Sequence, residues 1–305
     1  MARLPEERAG VGDIDLSGTT ALVTGSTSGI GRATALALAR RGADVVIHGR
    51  DESAGRAVAD ELRDAGSEAR FVRADFGDVD AVRDLAAAVR EEFDDLDVLC
   101  NNAGGYFRSG RLTDIGVEYT FHVNHLAPYL LTAELLDHLA PGGRVITTAS
   151  DAHRGSSLDL DAVTSVEDYS SIGAYGRSKL ANVQFAMELA RRVDRGGRDL
   201  VSNALHPGAI PGSGFARFLP GPIPALVKRL DALPVVTSVA DGAAALVRLA
   251  AAEDLGAVSG RYFAKQRPAT PSEAARDPDA QRALWERSAN LLEIEPPLAD
   301  AGAGE

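Results

Sequence analysis

The sequence predicts an α/β fold, a single domain built on a doubly wound parallel sheet with helices on both faces. Short apolar runs alternate with longer amphipathic stretches from residue 19 to about residue 150, which is the order of strands joined by crossover helices. The first apolar run leads into a glycine-rich turn, and neither a repeat nor a change of composition marks a second domain. The chain has 305 residues, which is enough for one large domain.

Seven short apolar runs are predicted to be the strands of this sheet. The stretch Ile30–Arg41, between the first two runs, is predicted to be a helix because its apolar residues recur every three or four positions. Gly42 is expected to end that helix. In chain order, the predicted strands are Thr20–Val23, Asp44–Ile47, Ala69–Arg73, Leu96–Cys100, Gly143–Thr147, Leu200–Leu205 and Gly260–Ala264.

Three segments do not follow this alternation, so the domain is predicted to span residues 17–267. Residues 1–16 form a polar leader. Residues 209–237 are rich in Gly and Pro but carry large apolar side chains, and we expect either a mobile lid over the substrate or a subunit interface. Residues 268–305 form a C-terminal extension with a short helix, whose inward face is predicted to contain Leu284, Trp285, Ser288, Leu291 and Leu292.

Composition and charge exclude several classes of protein. The 32 Lys and Arg residues against 44 Asp and Glu residues give a net charge of −12, which opposes binding to nucleic acid. The single cysteine, Cys100, cannot form an intrachain disulfide. No secretory signal and no apolar run long enough to span a bilayer is apparent. We therefore expect a cytoplasmic protein. We also expect it to be a homodimer or homotetramer and to act on a small molecule.

The turn after the first strand predicts a phosphate-binding loop. Its glycines allow close approach to a pyrophosphate, and the N-terminus of the following helix attracts negative charge. The alternative is a tight turn without a ligand. A Walker-type ATPase loop is excluded because no Lys-Ser/Thr pair follows, and a hydrolase elbow is excluded because the central residue is threonine. The loop consists of Gly25, Ser26, Thr27, Ser28, Gly29, Ile30 and Gly31.

The end of the second strand favours NADP(H) over NAD(H). An acidic residue there would accept from the ribose 2′-hydroxyl, whereas an arginine accommodates a 2′-phosphate. This chain has Arg50, whose charge and planar donors suit phosphate. Asp51 follows directly and weakens the inference, and Arg50 could alternatively be a solvated surface residue.

Polar residues with complementary chemistry follow the later strands. Tyr175 and Lys179 are four positions apart, so on a helix they share one face. A nearby ammonium favours the phenolate, which is expected to bring the Tyr175 pKa closer to neutrality for proton transfer. The Ser150 hydroxyl can donate to a substrate oxygen as negative charge develops. Taken singly, each residue could have a purely structural role.

With the glycine loop, Asn124 and the motif Asn101-Asn102-Ala103-Gly104 after the fourth strand, these residues form a pattern. By this pattern the chain resembles the short-chain dehydrogenase/reductase family from residue 17 to about residue 265. The resemblance implies a Rossmann-type fold and an oxidoreductase that interconverts a carbonyl and an alcohol by hydride transfer. Tyr175 would be the proton donor and acceptor. Lys179 would also contact the nicotinamide ribose, and Asn124 would hold a water in the proton relay.

The resemblance implies further cofactor contacts, all located after the ends of strands. They would lie beside the adenine, beside the two riboses and against the nicotinamide carboxamide. In chain order these residues are Asp75, Phe76, Asn102, Ala103, Gly104, Pro207, Gly208 and Ile210. No metal site is expected, because His122 and His125 have no third ligand at metal spacing.

The stretch 123–132 and the long gap from Ser150 to Tyr175 resemble the retinol dehydrogenase-like branch of the family. Tyr106 and Phe107 are expected near the mouth of the cleft, which favours a hydrophobic ketone, aldehyde or alcohol. Two alternatives stay open: a non-catalytic NADP-binding sensor or scaffold, and a nucleotide-sugar epimerase-type enzyme on the same fold.

Overall fold

A computed structural model describes residues 3–208 and 237–299. Eight strands form one sheet in the order β3-β2-β1-β4-β5-β6-β7-β8, and all neighbours are parallel except β8, which runs antiparallel to β7. The sheet has the predicted Rossmann-type doubly wound architecture. Its strands are β1 (Thr20–Val23), β2 (Asp44–Gly49), β3 (Ala69–Arg73), β4 (Leu96–Asn101), β5 (Leu139–Thr148), β6 (Leu200–His206), β7 (Tyr262–Ala264) and β8 (Arg267–Ala269).

Helices cover both faces of the sheet and bury two large apolar cores. One face is covered by α1, α2, α3 and α8, and the other by α4, α6, α7 and α10. The α-helices are α1 (Pro5–Ala9), α2 (Gly29–Ala39), α3 (Glu52–Asp64), α4 (Val79–Glu92), α5 (Tyr119–Phe121), α6 (Ala127–Leu135), α7 (Ser171–Arg195), α8 (Val239–Ala251), α9 (Glu273–Arg276) and α10 (Pro278–Leu291).

The predicted strands agree with the observed ones, with small differences at their ends. The last parallel strand starts at Tyr262 rather than at Gly260, because Gly260 has a φ of 69° and extended backbone cannot continue through it. The strand β8 was not predicted. The first predicted helix is observed as α2, which begins one residue earlier and ends two residues sooner.

The N-terminal residues, expected to be a polar leader, pack onto the domain. Ala9 and Val11 are buried, and α1 lies against α2 and α8. The buried carboxylate of Glu6 accepts two hydrogen bonds from Arg40, at 2.6 and 2.9 Å. This mostly polar segment therefore has a small buried apolar face, which sequence periodicity could not identify in a helix as short as α1.

The helix predicted in the C-terminal extension is present as α10. The indole of Trp285 stacks on Phe185 of α7, with ring centroids 5.7 Å apart, and the Tyr129 hydroxyl donates to the Trp285 carbonyl at 3.1 Å. The predicted inward face is buried except for Leu291, which is half-buried. In the described ranges, no helix is both long and apolar enough to cross a membrane.

Candidate active site

The carboxyl ends of β1 and β4 meet in the crevice where the strand order reverses, and most of the predicted site residues lie there. Ligands of doubly wound sheets bind at this switch point. The two strand ends are locked together, since Thr24 Oγ1 accepts from the backbone N–H groups of Asn102 and Ala103, both at 2.9 Å. The Asn102 side chain in turn donates to the Thr24 carbonyl at 2.8 Å.

The glycine loop makes a tight turn from β1 into α2 that leaves no room for a side chain at Gly31. A Cβ atom on Gly31 would lie 2.4 Å from the Gly25 carbonyl oxygen, so only glycine allows this tight turn. Ser28 is the N-cap residue of α2, but its side chain makes no capping hydrogen bond, and the first turn has no acidic residue. The N-terminal amides of α2 can therefore serve an anion.

His48 supports the glycine loop by a hydrogen bond to Gly25, a contact that no sequence pattern indicated. Its Nδ1 accepts from the Gly25 N–H at 3.2 Å, and its Nε2 lies 3.2 Å from the Ala74 carbonyl oxygen. Burial lowers the pKa of His48 to about 4, so the ring is neutral and keeps Nδ1 free to accept. The Phe76 ring stacks on it in the core, which leaves only the Phe76 backbone to face a cofactor.

Arg50 lies at the end of β2 and borders an open cleft of about 430 Å³. Its guanidinium is 3.9 Å from the carboxylate of Asp75, and both side chains are largely exposed. Two further arginines, Arg108 and Arg111, line the same cleft. The Arg111 guanidinium stacks 3.6 Å above the Tyr119 ring, which holds it at the wall of the cleft.

Three of the predicted catalytic residues lie side by side. The Ser150 hydroxyl hydrogen-bonds to the Tyr175 phenol and thereby opposes the effect of burial on the Tyr175 pKa. The buried Lys179 lies one turn further along α7, with Nζ 5.7 Å from the centre of the Tyr175 ring. Its ammonium donates to the Thr148 carbonyl at 3.0 Å, at the end of β5.

The pKa of Tyr175 differs from the sequence-based expectation. Burial raises it above the usual range, and the Lys179 ammonium does not reverse that shift. Burial also lowers the Lys179 pKa to about 8. The spacing of Tyr175 and Lys179 indicates the attraction of the ammonium but not the desolvation, which depends on packing and disfavours the phenolate and the ammonium alike.

Asn124 is buried in a π-helical turn, residues 122–126, that interrupts the helical stretch before α6. Its Oδ1 accepts from the Gly105 N–H at 2.8 Å and its Nδ2 donates to the Gly105 carbonyl at 2.9 Å. Nδ2 also donates to Ser178 Oγ at 2.9 Å. The side chain thus ties the loop after β4 to α7, next to Gly104, where a Cβ would lie 3.4 Å from Lys179 Nζ.

The loop after β6 is held by His206, as a neutral hydrogen-bonding residue. Its Nδ1 accepts from the Gly208 N–H at 3.2 Å, and its Nε2 lies 3.4 Å from the Asp151 carboxylate. Burial lowers the His206 pKa, although Asp151 opposes this shift. Pro207 and Gly208 lie beside this contact, whereas Ile210 and the expected lid fall outside the described residues.

The two aromatic residues expected at the cleft mouth lie in different places. Tyr106 contacts Tyr175 edge-on, with ring centroids 5.9 Å apart, and its hydroxyl is 2.6 Å from Ser171 Oγ. Phe107 instead packs against Tyr119 at 4.8 Å and lines the cleft beside Arg50. Of these two residues, Tyr106 is the one that contacts Tyr175.

Comparisons with known proteins agree with this geometry. Residues 19–217 match the family model described as short chain dehydrogenase. A Streptomyces protein provisionally named as a daunorubicin C-13 ketoreductase is 40% identical over 288 residues, covering 94% of this chain and 96% of the relative. Human retinol dehydrogenase 13 is 37% identical over 300 residues, covering 92% of this chain and 87% of the relative.

A solved structure is also similar. The crystal structure of an angucycline C-6 ketoreductase with bound NADP superposes with a TM-score of 0.65 at 30% identity, covering 83% of this chain and 95% of that chain.

Proposed function

This chain belongs to the short-chain dehydrogenase/reductase family, in its retinol dehydrogenase-like branch, and on that premise we propose that it is an NADP(H)-dependent reductase of apolar carbonyl compounds. Family membership makes it an oxidoreductase of carbonyl and CH–OH groups with a nicotinamide cofactor. The observation that carries the finer proposal is the hydrogen bond between Ser150 and Tyr175 above the buried Lys179.

Tyr175 is the proton donor in carbonyl reduction and the acceptor in alcohol oxidation. Its raised pKa keeps the phenol protonated near neutral pH, the form that a reductase needs. The Ser150 hydroxyl, beside it, donates to the substrate oxygen as negative charge builds up. The nicotinamide ring, when bound, supplies or takes up the hydride.

Lys179 and Asn124 support this proton transfer. The Lys179 ammonium is directed to the end of β5 by the Thr148 carbonyl and is positioned to contact the nicotinamide ribose. Asn124 fixes the neighbouring Gly105 and Ser178 and would hold the relay water behind the lysine. Both roles are implied by the family and fit the burial of these side chains.

The preference for NADP(H) is attributed to the arginine-lined cleft at the end of β2. Arg50 would bind the 2′-phosphate, and Asp75 at 3.9 Å is its present partner. Arg108 and Arg111 border the same cleft and add positive charge to its lining. Arginine donors match phosphate geometry, so a 2′-phosphate would gain contacts that the hydroxyl of NAD(H) cannot make.

The substrate is an apolar ketone, aldehyde or alcohol. Ile172 precedes Tyr175 by three positions on α7, on the same side of the helix, and its side chain is 74% exposed, so it offers an apolar contact near Tyr175. Tyr106 covers another side of Tyr175. The names of two relatives, the provisionally named daunorubicin C-13 ketoreductase and retinol dehydrogenase 13, refer to a ketone and to an alcohol.

A spectrophotometric assay tests this function against its alternatives. NADPH oxidation at 340 nm is followed with a panel of apolar ketones and aldehydes, and the reverse reaction with the matching alcohols. Turnover supports the reductase, whereas tight NADPH binding without turnover on the whole panel would indicate the sensor or scaffold. Turnover of a nucleotide sugar without net change in NADPH would indicate the epimerase. The cytoplasmic location and the homo-oligomeric state stay predictions.

A further inference from the structure

His153 lies between the catalytic serine and the C-terminal extension and is completely buried. Its Nδ1 is 2.7 Å from the Ser150 carbonyl oxygen, and its Nε2 accepts from the Ser272 backbone N–H at 3.1 Å. A backbone N–H can only donate, so Nε2 carries no proton. The neutral ring therefore carries its proton on Nδ1 and donates it to Ser150. Both contacts require the same tautomer and form one continuous link.

The surroundings keep the ring in this state and orientation. Tyr262 of β7 packs against it, with ring centroids 4.9 Å apart, and burial lowers the pKa of His153. A second contact joins the same two segments, because the guanidinium of Arg154 donates to the Thr270 carbonyl at 2.9 Å. The start of the C-terminal extension is thus attached to the short 3₁₀ helix 151–155 that follows the catalytic serine.

The link through His153 ends at the carbonyl oxygen of Ser150. It also accepts from the His153 backbone N–H at 3.1 Å, so the peptide after Ser150 is held from two directions. The hydroxyl of the same residue reaches Tyr175. A rotation of this peptide would displace the hydroxyl, and misplacement of a catalytic group by about 1 Å can lower the rate by about 100-fold.

We propose that His153 is a positioning residue for Ser150, through which the C-terminal extension holds the catalytic hydroxyl in place. The inference rests on the proposed function for the role of Ser150. The family resemblance gave no role to His153 or to residues 268–299. In this chain the extension would therefore contribute to turnover as well as to packing.

Two substitutions of the histidine separate its two contacts. The amide nitrogen of asparagine can take the place of Nδ1, so His153→Asn keeps a donor for Ser150. The amide oxygen of glutamine reaches the place of Nε2, so His153→Gln keeps only an acceptor for Ser272. We expect kcat to fall about 10- to 100-fold in His153→Gln and to recover largely in His153→Asn, with the NADPH dissociation constant unchanged in both. Equal losses of kcat in the two variants would indicate a packing role and overturn the proposal.

A matched pair at Ser272 tests the link without changing the histidine. Ser272 has a φ of −61°, which proline can adopt, so Ser272→Pro removes the N–H that contacts His153. Ser272→Ala keeps that N–H and, like proline, removes the side-chain oxygen that caps α9. We expect a lower kcat in the proline variant than in the alanine variant.

Hydrogen exchange provides a measurement that does not depend on activity. Amides of residues 150–156 should exchange faster in Ser272→Pro than in Ser272→Ala, because the ring loses one of its anchors. Equal exchange and equal kcat in this pair would contradict the link. Absence of turnover by the wild-type protein on every substrate would contradict the proposed function instead, and the exchange measurement would still decide the question of the link.

Discussion

Replacing Tyr175 with phenylalanine removes one oxygen atom from the centre of the site and keeps the ring that packs there. The lost hydroxyl is the proposed proton donor and the hydrogen-bond partner of Ser150. We expect turnover to fall by about 100-fold or more, the range of a general acid, which corresponds to about 2.7 kcal/mol of activation free energy. The free energy of unfolding should change by only about 1 kcal/mol, the contribution of one hydrogen bond.

The control for this variant is Tyr106→Phe, which removes the same atom from a neighbouring ring. The Tyr106 hydroxyl lies 2.6 Å from Ser171 Oγ, and its ring is 5.9 Å from that of Tyr175. Turnover and cofactor titrations are compared for both variants with one accepted substrate. NADPH affinity should be nearly unchanged in both. If Tyr175→Phe kept more than about a tenth of wild-type turnover, Tyr175 would not be the general acid.

The pH dependence follows from the direction of the Tyr175 pKa shift. Because burial raises this pKa, the phenol stays protonated at neutral pH. The rate of carbonyl reduction should therefore be level around neutrality and fall only in alkaline solution, where the proton is lost. Alcohol oxidation needs the phenolate, so the rate of oxidation should rise with pH in alkaline solution, where the phenol loses its proton. Since burial lowers the Lys179 pKa to about 8, loss of its ammonium begins just above neutrality, and the result that would contradict this assignment is a reduction rate that already falls between pH 5 and 7.

The remaining predictions concern the cofactor and the extension. Arg50→Ala should weaken NADP(H) binding about tenfold and leave NAD(H) binding unchanged. The control is Arg56→Ala, which removes an exposed arginine of α3 and should change the affinity for neither cofactor. Equal affinities of the wild type for NADP(H) and NAD(H) would refute the preference. Trp285→Ala should lower the free energy of unfolding, measured by urea denaturation, by about 3–5 kcal/mol, because the indole is almost completely buried. The control is Asn290→Ala on the exposed side of α10, which should lower it by less than about 0.5 kcal/mol.

The features that the sequence predicted well depend on short stretches of chain. The alternation of apolar runs located seven strands, and the spacing of Tyr175 and Lys179 placed both side chains on one helix face. The glycine loop was identified because its conformation depends on residues adjacent in sequence. Such features are determined by backbone geometry and by periodicity, which a single sequence displays directly.

The tertiary structure decided which groups from distant parts of the chain meet. The ring of His48, a residue of β2, lies between Gly25 and the Ala74 carbonyl oxygen. The Ser272 N–H contacts His153, although the two residues are far apart in sequence. Arg108 is also distant in sequence from the residue that it approaches, because packing brings its loop to the cleft beside Arg50.

The direction of the Tyr175 pKa shift also required the tertiary structure. The sequence displayed the charge of Lys179 but not the burial of both side chains, and burial is the larger effect. Desolvation depends on everything packed around a group, including segments that are remote in the chain. Sequence by itself thus determined the fold and indicated the residues that we propose as catalytic, whereas their burial and their contacts with distant segments were decided by long-range packing.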